Sequence, residues 1–232
     1  MSISEVQWID ESAQDGETIR TRFHEWILNP MYPCLGARSA LRAGGYEFNL
    51  YGNMGESADT ERLACDLSKF VKGRGSLPGK YKTFVAAFRG PQILDELQYE
   101  NLFWGQLQKL HRLDRELWDP SVSQDPESVE FDFSFHGYAF FVVGINPASS
   151  RTARRFSLPV MVFNGHDQFV SLQREGKWDS FQGAIRQRDI KLQGSVNPNL
   201  GHYGVASNAL QYSGRRVDSD WSCPFRLDSE SK

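Results

Sequence analysis

The sequence predicts an α+β fold, a single domain with a central mixed β-sheet of about five strands and flanking helices. Three observations carry this reading. Five short segments show the period-two alternation or the continuous apolar run of strands, and at least three longer ones repeat apolar residues at helical spacing. The 232 residues, 40% hydrophobic and 24% charged, suffice for one full core, and no internal repeat divides them.

Residues 1–23 are polar and mixed in charge and read as an N-terminal segment; the domain is drawn at 24–228, with 229–232 a polar tail. His24 and Trp26 fall in an N-terminal helix. Pro30 and Pro33 fix φ and make Asn29 to Cys34 a turn, so a short helix is expected from Leu35 to Arg42. Tyr46, Phe48 and Leu50 alternate with polar neighbours between Gly44 and Gly55, as in a half-buried strand. Thr60 to Val71 is an amphipathic helix, closed by the glycine-rich connection Lys72 to Gly79, which lacks the spacing of a phosphate-binding loop.

Thr83 to Phe88 is a continuous apolar run, expected of a strand buried on both faces. A long helix is expected from Ile93 to Trp118, with Leu97, Phe103, Leu107, Leu110 and Leu117 on its apolar face and Asp119-Pro120 as its stop. Phe131, Phe133 and Phe135, alternating with Asp132 and Ser134, make a strand with one aromatic face. Tyr138 to Ile145 and Pro159 to Phe163 are the last two strands. Between them, Arg151, Arg154 and Arg155 are spaced to line one face of a helix entered through Ser149 and Ser150.

The 26 basic and 29 acidic residues nearly cancel and form no long block of one sign, which argues against a nucleic-acid partner. The most apolar run, Ala139 to Ile145, is far short of the roughly 20 residues of a membrane helix. Met1 to Trp8 is polar where a secretory signal is apolar, so no export is expected. Cys34, Cys65 and Cys223 include no close pair, which suits a reducing compartment and a cytoplasmic address. Neither C-x-x-C nor H-E-x-x-H occurs, so a metal would come with a cofactor or on scattered ligands.

Imidazole is the commonest metal ligand and a proton carrier near neutral pH, so the histidines are the first candidates. His111 lies on the long helix with Asp114 three residues on, either an oriented base or a core-edge residue paired with that carboxylate. His166 follows a buried strand, where loops carry active-site groups, or it stabilises the turn. His24, His136 and His202 rank behind them. Cys34 precedes an expected helix whose N–H groups would favour a thiolate, making it a nucleophile, an iron ligand or a small buried hydrophobe. Cys223 has similar standing, and Cys65 reads as helix core. The arginines at 151, 154 and 155 suit a carboxylate, or else a solvated face.

Taken together, Pro33-Cys34, Phe84 to Pro91, Leu110 to Asp114, Trp118-Asp119-Pro120, Ala139 to Gly144, Phe163 to Phe169, Asn197-Pro198, Gln211 to Arg215 and Trp221 to Phe225 resemble the YqcI/YcgG family over residues 25 to 226. That family is similar to the haem-dependent N-hydroxylases of guanitoxin biosynthesis and to related arginine N-hydroxylases. The resemblance implies haem, dioxygen and an external reductant, a small substrate such as arginine or a related guanidine, and an electron-donor protein. It implies Cys34 or His166 as iron ligand, with His111 and Cys223 as alternatives; His111, Asp114 and Asp167 as catalytic residues; and Arg151, Arg155, Arg215 and Phe163 around the haem. Asp114, Asp167 and Asp189 are the candidate guanidinium anchors. Asn146-Pro147 departs from the family pattern, in which a histidine tends to follow the glycine at the strand end. The rival expectation is a non-catalytic haem or small-molecule binder of the same fold; a cysteine hydrolase using Cys34 has no local signature here.

Overall fold

The structure, a computed structural model, describes residues 14–198 and 205–227. Its strands are β1 (Tyr46–Asn53), β2 (Thr83–Gly90), β3 (Phe133–Phe135), β4 (Tyr138–Ile145) and β5 (Val160–Gly165). They form one mixed sheet in the order β1-β2-β5-β4-β3. β1 and β2 are parallel, Tyr46 facing Thr83, because helix α3 (Ser57–Gly73) carries the chain back between them. The remaining pairs are antiparallel. The β3–β4 hairpin turns at His136 and Gly137, with φ of 54° and 69°, the two positive values a tight turn of matching twist needs. His136 is therefore a turn residue.

Along each strand alternate side chains point to opposite faces. Phe84, Phe88, Phe140 and Phe163 meet α3 and helix α4 (Glu96–Leu113), whose Tyr99, Phe103, Leu107 and Leu110 form one buried stripe. Asp95 caps α4, accepting the Gln98 N–H at 2.7 Å, and Asp114 closes it in extended conformation. The helix is thus shorter than the Ile93–Trp118 span expected: the Asp114 carboxylate takes the N–H groups of Glu116 and His136 and turns the chain away. Leu117 is consequently 71% exposed and outside the apolar face.

Val85, Ile145, Val160 and Val162 point to the second face, covered by α1 (Gly16–Leu28) and α2 (Leu35–Ala43). Asp15 caps α1 through the N–H groups of Glu17 and Thr18, and Ile19, Phe23, Trp26 and Ile27 are buried. The packed domain therefore begins inside the stretch 1–23 set apart on polarity; Ile19 and Phe23 are two apolar residues spaced a helical turn apart in a polar context. Gly44 ends α2 in the left-handed region, φ 72°, where glycine carries no Cβ penalty. Helices α5 (His166–Arg174), α6 (Trp178–Gln193) and α7 (Ala209–Tyr212) follow β5. The helix expected around Arg151 to Arg155 is a single 3₁₀ turn, Thr152–Arg154. His202 and the tail from 229 lie outside the described residues.

Candidate functional site

A cavity of about 250 Å³ lies on the second face, bordered below by Thr83, Val85, Val143 and Val162 and above by α2, α5 and α6. These strand positions carry short β-branched side chains where the opposite face carries phenylalanines, so α6 stands off the sheet; its only buried residue is Asp189. Phe169, Trp178 and Phe181 close that side with stacked and edge-on rings. A second, more polar cavity of about 320 Å³ is bordered by Ser150, Gln193, Ser195 and Arg216, and Arg151 and Asn197 border both.

Cys34 is the N-cap of α2 and borders the cavity. Its sulfur accepts the Ala37 N–H at 3.4 Å. Burial pushes the thiol up; the Ala37 and Gly36 N–H groups and the Arg154 charge pull the other way without overcoming it. The helix start expected after Cys34 is present, but the resting sulfur is a thiol because desolvation outweighs the cap.

Asp132 also borders the cavity and is 1% exposed. It precedes β3 while His166 follows β5, and both strands flank β4, so the two side chains meet across it. His166 Nδ1 lies 2.6 Å from Asp132 Oδ2. Asp132 Oδ1 accepts from the Tyr212 hydroxyl at 2.7 Å and from Asn208 Nδ2 at 3.1 Å. Burial pulls the His166 pKa down, but the Asp132 hydrogen bond and charge, helped by Asp119 and Asp167, carry it above its ordinary value. Gly165 permits the tight passage from β5 into α5: a Cβ there would sit 2.1 Å from the Tyr138 hydroxyl.

The second acid at the cavity, Asp189, is paired with Arg151 at 2.6 Å and takes the Asn197 N–H on the same oxygen. Arg151 also donates to the Ser195 hydroxyl and carbonyl. Arg154 borders the cavity and donates to the carbonyls of Gly144 and Tyr212. Burial draws its pKa down from the usual arginine value.

Of the residues singled out in the sequence, the fold thus brings Cys34, Arg151, Arg154 and Asp189 to one cavity and sets His166 behind Asp132. The others lie elsewhere. His111 packs against Trp118 and Phe225 at the far end of α4. Asp114 is spent on α4 termination, and Asp167 accepts the Tyr138 hydroxyl at 2.6 Å. Phe163 is buried on the opposite face of the sheet against Phe84 and Phe140, because it alternates with the cavity-facing Val162 and Asn164. Arg155 holds the Ser149 carbonyl, and Arg215 is ion-paired with buried Glu100 at 2.6 Å. Cys223 is fully buried, its thiol pushed up to about 12 chiefly by burial, and Cys65 is exposed rather than core.

Asp132, Asn208 and Gln211 were not legible as site residues. Asp132 reads as the polar member of an alternating strand, and only the face it points to makes it exceptional. Among the described residues no group of three or more His, Cys, Asp or Glu side chains is arranged to hold a metal ion. No helix among them is long and apolar enough to cross a membrane.

Two relatives share this framework in sequence. The uncharacterized protein YcgG of Bacillus subtilis (strain 168) is 29% identical over 204 residues, 84% of this chain and 80% of that protein. The uncharacterized protein YqcI of the same organism is 26% identical over 207 residues, with the same shares covered. No solved structure matches the chain significantly. The YqcI/YcgG family model matches residues 23–226, which take in the sheet, both of its covered faces and every residue bordering the cavity; the chain belongs to the YqcI/YcgG family.

Proposed function

We propose that this chain is a haem-dependent oxygenase that hydroxylates a guanidino or amino nitrogen of a small, amino-acid-derived substrate in the cavity above the sheet. The observation that carries the reading is Cys34, a cysteine at the wall of a largely apolar cavity whose sulfur receives N–H groups from the first turn of a helix. Those N–H groups lower the cost of the thiolate that iron ligation requires, and the metal replaces the proton that burial otherwise holds on the sulfur. A haem bound there would supply dioxygen activation, with a thiolate ligand favouring O–O cleavage.

The chain's own residues would do the rest. Val85, Val143 and Val162 present a dry floor to a flat ring, and Arg154 and Arg186 border the cavity as cations for carboxylate arms. Asp132 is the buried anion for a positively charged nitrogen. Dioxygen, an external reductant and an electron-donor protein complete the proposal, as does a cytoplasmic address, which the absence of disulfides among the three cysteines favours.

A second reading, a non-catalytic binder of a smaller ligand, is favoured by the volume. At about 250 Å³ the cavity falls just under the range of about 300–1,000 Å³ usual for small-molecule sites, so a macrocycle would have to lift α6.

The absorption spectrum of protein produced with a haem precursor tests the choice. A Soret band, with a ferrous–CO spectrum of the thiolate type that Cys34→Ser abolishes, is the expected result. Protein that neither carries haem nor can be reconstituted with it ends the oxygenase reading and leaves the small-ligand binder.

A further inference from the structure

A carboxylate offers about four acceptor positions, two on each oxygen. At Asp132 three are filled among the described residues: both on Oδ1, by Tyr212 and Asn208, and one on Oδ2, by His166. The other acid at the cavity, Asp189, is already neutralised by Arg151. The ionisable partner of Asp132 is instead His166, which can give up its proton where an arginine cannot, so Asp132 is the anion through which the cavity can recognise a positive charge, and among the described residues it has one acceptor position left.

The two common cationic nitrogens use a carboxylate differently. A guanidinium binds best as a fork, one N–H to each oxygen. A primary ammonium is a compact charge with three rotatable donors, and one acceptor position satisfies the contact. With Oδ1 full, the fork has no second tine to land on.

We propose that Asp132 anchors the cationic nitrogen of the cavity's ligand and that its hydrogen-bond partners make the site select a primary ammonium over a guanidinium. This rests on the reading of the cavity as the ligand site and narrows it to the amino branch. Asn208 is the positioning residue that sets the choice: it occupies the second position on Oδ1 and itself borders the cavity.

Calorimetric titration of the haem-free full chain with L-lysine and with L-arginine, which share one backbone, reads the selection. Lysine is expected to bind more tightly by about tenfold, the worth of one charge-assisted hydrogen bond. Asp132→Asn is expected to weaken lysine by at least about tenfold. Asn208→Ala, which opens a position on Oδ1 and keeps the charge, is expected to shift the lysine-to-arginine ratio toward arginine; it reads the same site should Asp132→Asn fail to fold. Equal affinities in the wild type, a ratio unmoved by Asn208→Ala, or no binding of either amino acid overturns the inference. Its failure is separable from that of the oxygenase reading: haem uptake with an unmoved ratio sinks only the ammonium selection, and a moved ratio in protein that never takes up haem sinks only the oxygenase.

Discussion

The two faces of the sheet are built from the same strands and do different work. Toward α3 and α4 the strands send phenylalanines, and with Phe70, Phe103, Trp104 and Tyr212 these rings meet in tilted, edge-on and stacked pairs with centroids 5.4–6.5 Å apart. Such pairs fill space without voids and add to plain burial. Toward α1 and α2 the strands send Phe48, Leu50 and Ile145, whereas beneath α6 they send mainly the short Val85, Val143 and Val162, with Phe141 among the lining, and the cavity lies there. One face is a core, and the other is half core and half site. The Asp132–His166 and Asp189–Arg151 pairs attach to the cavity, while the filled face has buried polar contacts of its own on α4, Glu100 with Arg215 and Gln106 with Thr60.

If this division holds, the largest effect comes from the filled face. Phe103→Ala should cost about 3–5 kcal/mol in urea unfolding, whereas Phe181→Ala, at the half-buried cavity edge, should cost less than about 1 kcal/mol. Comparable losses would mean that α6 is packed as tightly as α4 and would break the comparison.

Next is the ion pair behind the cavity. Asp189→Asn strands the buried Arg151 guanidinium and should destabilise by about 3 kcal/mol, the low end for such a break because Ser195 still accepts from it. A melting temperature equal to wild type would show the pair to be dispensable.

Cys34 sharpens the distinction between fold and site. Cys34→Ala removes a weak cap and should cost no more than about 1 kcal/mol, and Cys34→Ser, which restores an oxygen acceptor, should be near wild type. A loss of several kcal/mol in both would make the thiol a core residue first.

The smallest effect is that of pH. His166 has its folded pKa raised above the unfolded value of about 6.5, so its contribution is full below that pH and is lost as pH rises through the folded value. The stability of wild type relative to His166→Gln, followed by urea midpoints, should fall as pH rises above about 6.5. A difference that rises with pH would reverse the assigned sign.

Much of the architecture was legible along the chain, because a strand or an amphipathic helix announces its buried face by its own period. The five strands, the turn at Pro30 to Cys34, the start of α2 and the two-sided burial of Thr83 to Phe88 follow from residues close in sequence. α5 and α6 were not, since a helix covering a cavity has no continuous apolar stripe; α6 buries Asp189 alone.

The site divides in the same way. Cys34 and Arg151 could be suspected from residue type and local context, and the position of His166 just past a buried strand pointed to the right neighbourhood, although it opens α5 rather than a loop. Asp132 could not: its meaning depends on lying across β4 from β5 and on the same face as Val162, a relation that sheet order establishes and local sequence does not. Phe163 shows the converse, a residue inside a suggestive motif that strand alternation turns to the other face. By itself the sequence determined which segments bury an apolar face, because that depends on neighbours within a few residues. Which polar groups share a cavity was decided only by tertiary structure, because strand pairing and alternation join positions that are 34 residues apart, as in Asp132 and His166.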